Sequence, residues 1–438
     1  MGTLTYFPEI GERPHFSGEG TQLTPRDILI DAYRAALDAV DARRCVRESL
    51  LRRPVRGAWH VVAVGKAAAA MAQGAVDALG ARLLSGCVVI PPGHLPAGFA
   101  PGAHGIDVLT SSHPVPDERS LAAGETLAAY VESLSQEAQL LFLVSGGASS
   151  LVERLRPGCT LADLQSLNRW ALASGAPIAQ VNALRRRLSR LKGGGLAVLA
   201  GSRRTLALMI SDVPVDDPRV IGSGLLHAPD TPTSSTDVAL PVELRAVLER
   251  AAGEAGDGGA YVPRVPVRMA ATLRMACHAA AAAARKAGLD ARVSPGRLAG
   301  DAADLGVAFA ARASRLPDRT VRVWGGESTV TLPATPGRGG RNQHLALAAA
   351  LELERLRSRA VLLAAGTDGV DGATMDAGAV VDAATCLRGR DAGFDPHVSL
   401  AAADSGSFLE ASGDLLHTGA TLTNVGDLVL AFAIQGAR

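Results

Sequence analysis

Five times between residues 59 and 218 the chain runs through one scheme: a short, almost unbroken apolar stretch, a polar turn, and often a helix. The stretches are "WHVVAVG", "GCVVI", "IDVLTSSHPVPD", "AQLLFLVSGGASS" and "TLALMISDVPVDDP"; "KAAAAMAQGAVDALG" and "ERSLAAGETLAAYVESL" are helices that follow two of them. A strand that is apolar at nearly every position is buried on both faces. Such strands alternating with helices form a parallel sheet covered on both sides. Ligands of open parallel sheets bind in the crevice outside the carboxyl ends of the strands. The polar residues that follow each stretch are therefore the first candidates for function.

The chain has 438 residues, more than one core holds, so a second domain is expected. Ahead of the repeated scheme, "TPRDILIDAYRAALDAVDARRCV" has apolar residues at helical spacing, with Thr24 as N-cap and Pro25 in the first turn. "HAPDTPTSSTDVALP" and "AAGEAGDGGAYVPRVPV" are rich in turn residues and mark a linker region over roughly 228–265. Beyond it, "MAATLRMACHAAAAAARKAG" reads as an alanine-rich helix, and "TVRVWGGESTVTL" as strand-like. Strands and helices mix again to the end, which gives a second α/β domain. The expected domains are 24–240 and 262–438.

A formal charge of +1 exerts no long-range pull on nucleic acid or anionic membrane. Aromatic residues make up only 3%, too few for base-stacking platforms, so no nucleic-acid partner is expected. No apolar stretch reaches the length of a membrane span without charge or glycine, and the first residues lack the basic-then-apolar order of a secretory signal. The five cysteines are dispersed and odd in number, which suits a reducing compartment and small buried hydrophobes. A cytoplasmic protein is the expectation.

Lys66, His113, Ser145, Asp212 and Asp368 follow apolar stretches, and most are expected on one edge or facing one cleft. Lys66 opens a helix, where its charge opposes the dipole by a few tenths to about 1 kcal/mol, a cost an anionic ligand would offset. "VSGGASS", with Ser145, Gly146 and Gly147, is either a tight turn or an anion cradle of backbone N–H groups. "GTDGVDG" sets Asp368 and Asp371 among glycines, suited to Mg²⁺ or to accepting a hydroxyl proton, and equally to turns. In "SDVPVDD", Asp216 and Asp217 read as turn residues. "GRGGRNQHLALAAAL" places Arg341 at the start of a helix; a bound anion there would meet the free N–H groups, the dipole and Arg341 together.

Several motifs are missing. Gly65-Lys66 is followed by Ala67, so there is no P-loop, and "VGKAAAAMAQG" lacks the G-x-G-x-x-G of dinucleotide sites. The histidines form no H-x-x-x-H pair for zinc, and His113 in "SSHPVPD" reads as a loop residue for want of a partner.

Taken in order, "VGKAA", "SSHPVPDERS", "VSGGASSL", "LASGAPIAQVNALRRRLSRLKGG", "ISDVPVDDPRVIGSG", "WGGESTV", "GRGGRNQ", "AAGTDGVDG" and "HTGATLTNVGDLVLAF" resemble the class II glycerate kinases, the family with a MOFRL domain at its C-terminal end. The resemblance runs from about Thr24 to Ala433. It implies a Rossmann-like N-terminal parallel sheet with flanking helices, a C-terminal α/β MOFRL-type domain, and an active site in the interdomain cleft. It implies transfer of the ATP γ-phosphoryl group to D-glycerate, usually giving 2-phosphoglycerate, with Mg²⁺. The catalytic residues it points to are Lys66, Arg341, Asp368 and Asp212, the last two also as metal ligands. Substrate or phosphate contacts are implied at Ser145, Gly146, Gly147, Lys192, Asn342, Asp371 and Asn424. The partners are then a small hydroxy acid and a nucleotide, and a homodimer is allowed.

The pattern also departs from the family. His344 stands for a glutamate, Gly195 for an arginine, and Leu225 for a proline. Ala420 and Leu422 break T-G-P-T-G-T-N, and "GATMDAGA" brings in Met375 and moves an acid to Asp376. A kinase of another hydroxy acid, a divergent glycerate kinase and an inactive member are the readings this allows. Relatives that bear the name hydroxypyruvate reductase add an oxidoreductase as the alternative activity.

Overall fold

In a computed structural model, which describes residues 24–174, 178–228, 240–253 and 261–434, all five apolar stretches are strands. They are β1 (Trp59–Val64), β2 (Leu83–Ile90), β3 (Ile106–Thr110), β4 (Gln139–Val144) and β5 (Arg204–Ser211); a sixth, β6 (Val267–Thr272), joins them. Their order across the sheet is β3-β2-β1-β4-β5-β6, and every neighbouring pair is parallel. β1 and β4 are buried at five of their six positions, because helices cover both faces. Val62, Val64, Phe142, Leu127 and Met209 meet in the core.

β6 departs from the sequence reading, which runs a helix through Met269–Thr272. Methionine and alanine favour a helix, but pairing with β5 overrides that preference, and the helix begins at Leu273. In the expected linker region, residues 229–239 and 254–260 lie outside the described residues, and the helix Val242–Gly253 stands between them. That helix packs with Leu161–Ser174 and Ile178–Leu188 around Leu167, Leu184, Leu188 and Leu248.

A second sheet comprises β7 (Asp290–Val293), β8 (Thr320–Gly326), β9 (Val361–Gly366), β10 (Gly378–Val381), β11 (Leu415–Leu416) and β12 (Asp427–Ala433). Its order is β11-β10-β9-β12-β8-β7. Only β7 and β8 pair in parallel; β12 runs antiparallel between β8 and β9. The helices Ala302–Ala313 and Arg341–Arg355 pack on it through Phe309, Leu345, Ala349 and Leu353.

The chain divides into two compact units. Among the described residues, one holds Ala42–Thr272 and the return segment Leu422–Asn424; the other holds 24–41, Leu273–Thr421 and 425–434. The helix Pro25–Ala39 thus packs with Leu273–Lys286 in the unit of the mixed sheet. Its start is as expected, with Thr24 as N-cap and Pro25 in the first turn, and Asp27 completes a capping box with Thr24. Among the described residues no helix is long and apolar enough to cross a membrane. All five cysteines are free, and burial pushes the thiols of Cys87, Cys277 and Cys386 up to about 12.

Candidate active site

The parallel sheet changes direction between β1 and β4: β2 and β3 follow on one side of β1, β5 and β6 on the far side of β4. That is the switch point at which helices leave toward opposite faces and open a crevice. Lys66 follows β1 and Ser145–Gly147 follow β4, so the two turns meet there. They are tied together: Lys66 N–H donates to Gly146 O at 2.9 Å, and Ala67 N–H donates to Ser145 Oγ at 3.0 Å. Ser145 is fully buried. Its hydroxyl accepts from the turn after β1 and so fixes the two turns against each other.

Side chains from three more places converge on the two glycines. A Cβ on Gly146 would lie 2.0 Å from Asp212 Oδ2, and one on Gly147 would lie 3.0 Å from the His113 ring and 3.3 Å from Lys66 Cγ. Asp212, after β5, accepts a hydrogen bond from Asn424 Nδ2 at 3.2 Å. Lys66, His113, Asp212 and Asn424 thus surround a glycine turn with no room for a larger residue. His113, read from sequence as a loop residue without a partner, belongs to this group. Asp217 is held by Arg219, whose hydrogen bonds keep its carboxyl below the usual range, in keeping with a turn role.

Lys192 is in a different setting. It is buried and forms an ion pair with the equally buried Glu153, so its charge is already matched inside the protein. Gly195, where the family has arginine, could not carry a side chain here: a Cβ would sit 2.0 Å from Arg190 O. Leu225 is buried in the core of this unit.

In the unit of the mixed sheet the helix Arg341–Arg355 starts at Gly340. Its first N–H groups are met by the protein's own anion. Asp371 accepts from Asn342 N–H at 3.1 Å, from Gln343 N–H at 2.7 Å and from Asn342 Nδ2 at 3.2 Å. Asp371 and Asn342 are both buried. A Cβ on Gly340 would lie 2.4 Å from the Asp371 carboxylate. Burial pushes the Asp371 carboxyl up to about 7, against the pull of the two N–H donors.

Arg341 turns from the helix start to Asp427, at 2.6 and 3.0 Å, and to Glu327, at 3.0 Å. Burial works against its charge, but these acids more than offset it and hold it above the ordinary arginine range. A Cβ on Gly366 would stand 3.1 Å from Asp368 Oδ1 and 3.4 Å from Asp427 Oδ1, so the two carboxylates converge at the end of β9. The buried Tyr33 donates to Gly366 O at 2.6 Å. Burial raises its pKa well above the usual value, and the charges of Asp368, Asp427 and Asp371 add to this.

Asp427, Glu327 and Tyr33 were not singled out in the sequence. The available signal was an acid opening the apolar strand "DLVLAF" and another ending "WGGE". His344 is buried against Ser405, 3.3 Å away, and burial lowers its pKa; the departure from glutamate alters the interior of this unit. Asp376 is buried and pairs with Arg338 and His417, apart from the Asp371 cap.

A parallel sheet in Rossmann order, with a lysine and an aspartate at its switch point and a separate mixed-sheet unit, defines a class of two-unit α/β proteins. Residues 28–252 match the family described as a domain of unknown function, DUF4147, and residues 320–427 match the MOFRL family. The D-glycerate 2-kinase of Thermotoga maritima is 33% identical, over 93% of this chain and 98% of its own. A protein of Agrobacterium vitis, named as a candidate hydroxypyruvate reductase, is 41% identical over 93% of this chain and 94% of its own. The crystal structure of the Thermotoga maritima glycerate kinase superposes with a TM-score of 0.78 at 32% identity, covering 93% of this chain and 99% of that one. The chain belongs to the MOFRL-containing glycerate kinase family.

Proposed function

We propose that the chain transfers the γ-phosphoryl group of ATP to D-glycerate, giving 2-phosphoglycerate. The observation that carries this is the convergence of Lys66 and Asp212 on Gly146 and Gly147 at the switch point of the parallel sheet. Phosphoryl transfer asks a protein for charge neutralisation and positioning more than for covalent chemistry. Lys66 stands at the N-terminal end of the helix Ala68–Leu79, so cation and helix dipole act on an anion in the same sense. Arg341, fixed by Asp427 and Glu327, presents an oriented guanidinium to a phosphate or carboxylate. Asp368 accepts the proton of the attacking hydroxyl or takes part in holding a metal, with Asp212 assisting.

Among the described residues no group of three or more His, Cys, Asp or Glu is arranged to hold an ion alone. Mg²⁺ ordinarily takes only one or two carboxylates, with phosphate oxygens and water completing its shell, and Asp212 or Asp368 would supply such a carboxylate. When bound it supplies positive charge to the phosphates.

ADP formation dependent on D-glycerate tests the reading. Lys66→Ala is expected to lower it about a hundredfold, or about 2.7 kcal/mol, the scale of one electrostatic stabiliser. Unchanged turnover in that variant would remove Lys66 from the site. The name of the Agrobacterium vitis relative points to a reductase instead. The turn after β1 reads Gly65-Lys66-Ala67, without the dinucleotide glycines. Sustained oxidation of NADH or NADPH with hydroxypyruvate would favour the reductase over the kinase.

A further inference from the structure

Beside the glycine turn lies a cavity of about 190 Å³, whose walls include His113, Gly147, Ser149, Asn168, Arg185 and Lys192. It is smaller than the roughly 300–1,000 Å³ of ordinary small-molecule sites. Such a space takes a molecule of a few heavy atoms.

The charges around it do not balance. Glu153 is an acid of this region, and it is engaged: Lys192 pairs with it, the Ser189 hydroxyl donates to it, and Arg154 N–H donates at 3.0 Å. Arg185 lies within reach of the Glu153 field but forms no ion pair among the described residues; it donates from Nε to Asn168 Oδ1 at 2.9 Å. Burial works against the Arg185 charge and holds its pKa below the ordinary arginine range. Lys192 thus takes the Glu153 carboxylate, and among the described residues Arg185 has none at this partly desolvated cavity. Buried charges are otherwise paired. The Nε bond to Asn168 fixes the plane of the guanidinium, and a fixed fork matches a carboxylate by two parallel hydrogen bonds.

We propose that this cavity is a carboxylate subsite, in which Arg185, oriented by Asn168, receives the carboxylate of a small hydroxy acid. The far end of such a molecule lies on the Gly147 side, where His113 and the Lys66 stem pack against the same glycine. The assignment rests on the kinase reading for the identity of the acid, D-glycerate, and on the cavity for where its charge goes. It makes Arg185 a specificity residue: acids of three carbons fit, and the neutral triol lacks the group that the fork recognises.

Calorimetric titration of D-glycerate and of glycerol into the full chain tests this without requiring turnover. Glycerate is expected to bind, and Arg185→Gln to weaken it by about tenfold to a hundredfold, the range for a lost charged hydrogen-bond pair. Arg185→Lys recovers part of that loss, and ATP binding is unchanged in both variants. Equal glycerate affinity in Arg185→Gln and the unchanged chain overturns the subsite, as does glycerol binding as tightly as glycerate. If Arg185→Gln loses its thermal transition, Asn168→Ala replaces it: this variant keeps the cation but frees its plane, and undiminished glycerate binding again overturns the subsite. Glycerate binding that depends on Arg185 without ADP formation overturns the kinase reading alone. ADP formation with an unchanged glycerate KM in Arg185→Gln overturns the subsite alone. No glycerate binding by the unchanged chain overturns both.

Discussion

At Asp371 a carboxylate meets the first free N–H groups of a helix, and burial pushes it up to about 7. An unfolded aspartate ionises near about pH 4. Between there and 7 the folded chain holds a proton that the unfolded chain has lost, so stability falls as pH rises through that window and is level above it. Asp371→Asn cannot ionise. Its stability relative to the unchanged chain is expected to improve from pH 4 to 8, by on the order of 4 kcal/mol as a ceiling. Urea unfolding at pH 4, 6 and 8 reads the difference; parallel profiles would mean that Asp371 ionises at an ordinary pH. The same residue shows what a sequence conceals. Two aspartates among glycines were visible as candidates, but Asp371 acts on a helix 29 residues earlier, and only folding reveals that its partner is backbone. Lys66 was easier to see, because strand, glycine, cation and helix are consecutive in the chain.

Helix contacts follow from small residues. In the mixed-sheet unit Gly306 brings the helix Ala302–Ala313 so close to Arg341–Arg355 that a Cβ would lie 2.3 Å from Leu345 O. Gly306→Val is expected to cost about 1–3 kcal/mol by overpacking, and thermal denaturation measures it. A full-strength transition at the original temperature would mean that the helices separate freely. Elements whose signal was local were legible: the apolar strands, the N-cap at Thr24, the helix after Arg341. β6 was not, because its residues favour a helix and only its neighbour β5 makes them a strand. The pairing of β12 between β8 and β9 was equally hidden, since nothing in "DLVLAFA" states which strands flank it.

For the whole molecule, two α/β units could be expected, but not the strand order that creates a switch point, nor the path of the chain between units. The helix Pro25–Ala39 belongs with the C-terminal half, where its buried Tyr33 reaches Gly366. A fragment of residues 262–438 is therefore expected to lack a cooperative melting transition, and to gain one when a peptide of residues 24–41 is added. Circular dichroism with heating distinguishes the two; a fragment that melts cooperatively by itself would show that the helix is dispensable. The division has a further consequence for inheritance. The mixed-sheet unit is encoded in three separate stretches and the parallel-sheet unit in two. Recombination that moves a gene segment with one cut on each side cannot transplant either unit intact. Exchange of one for a foreign counterpart would need several coordinated crossovers, one pair for each stretch.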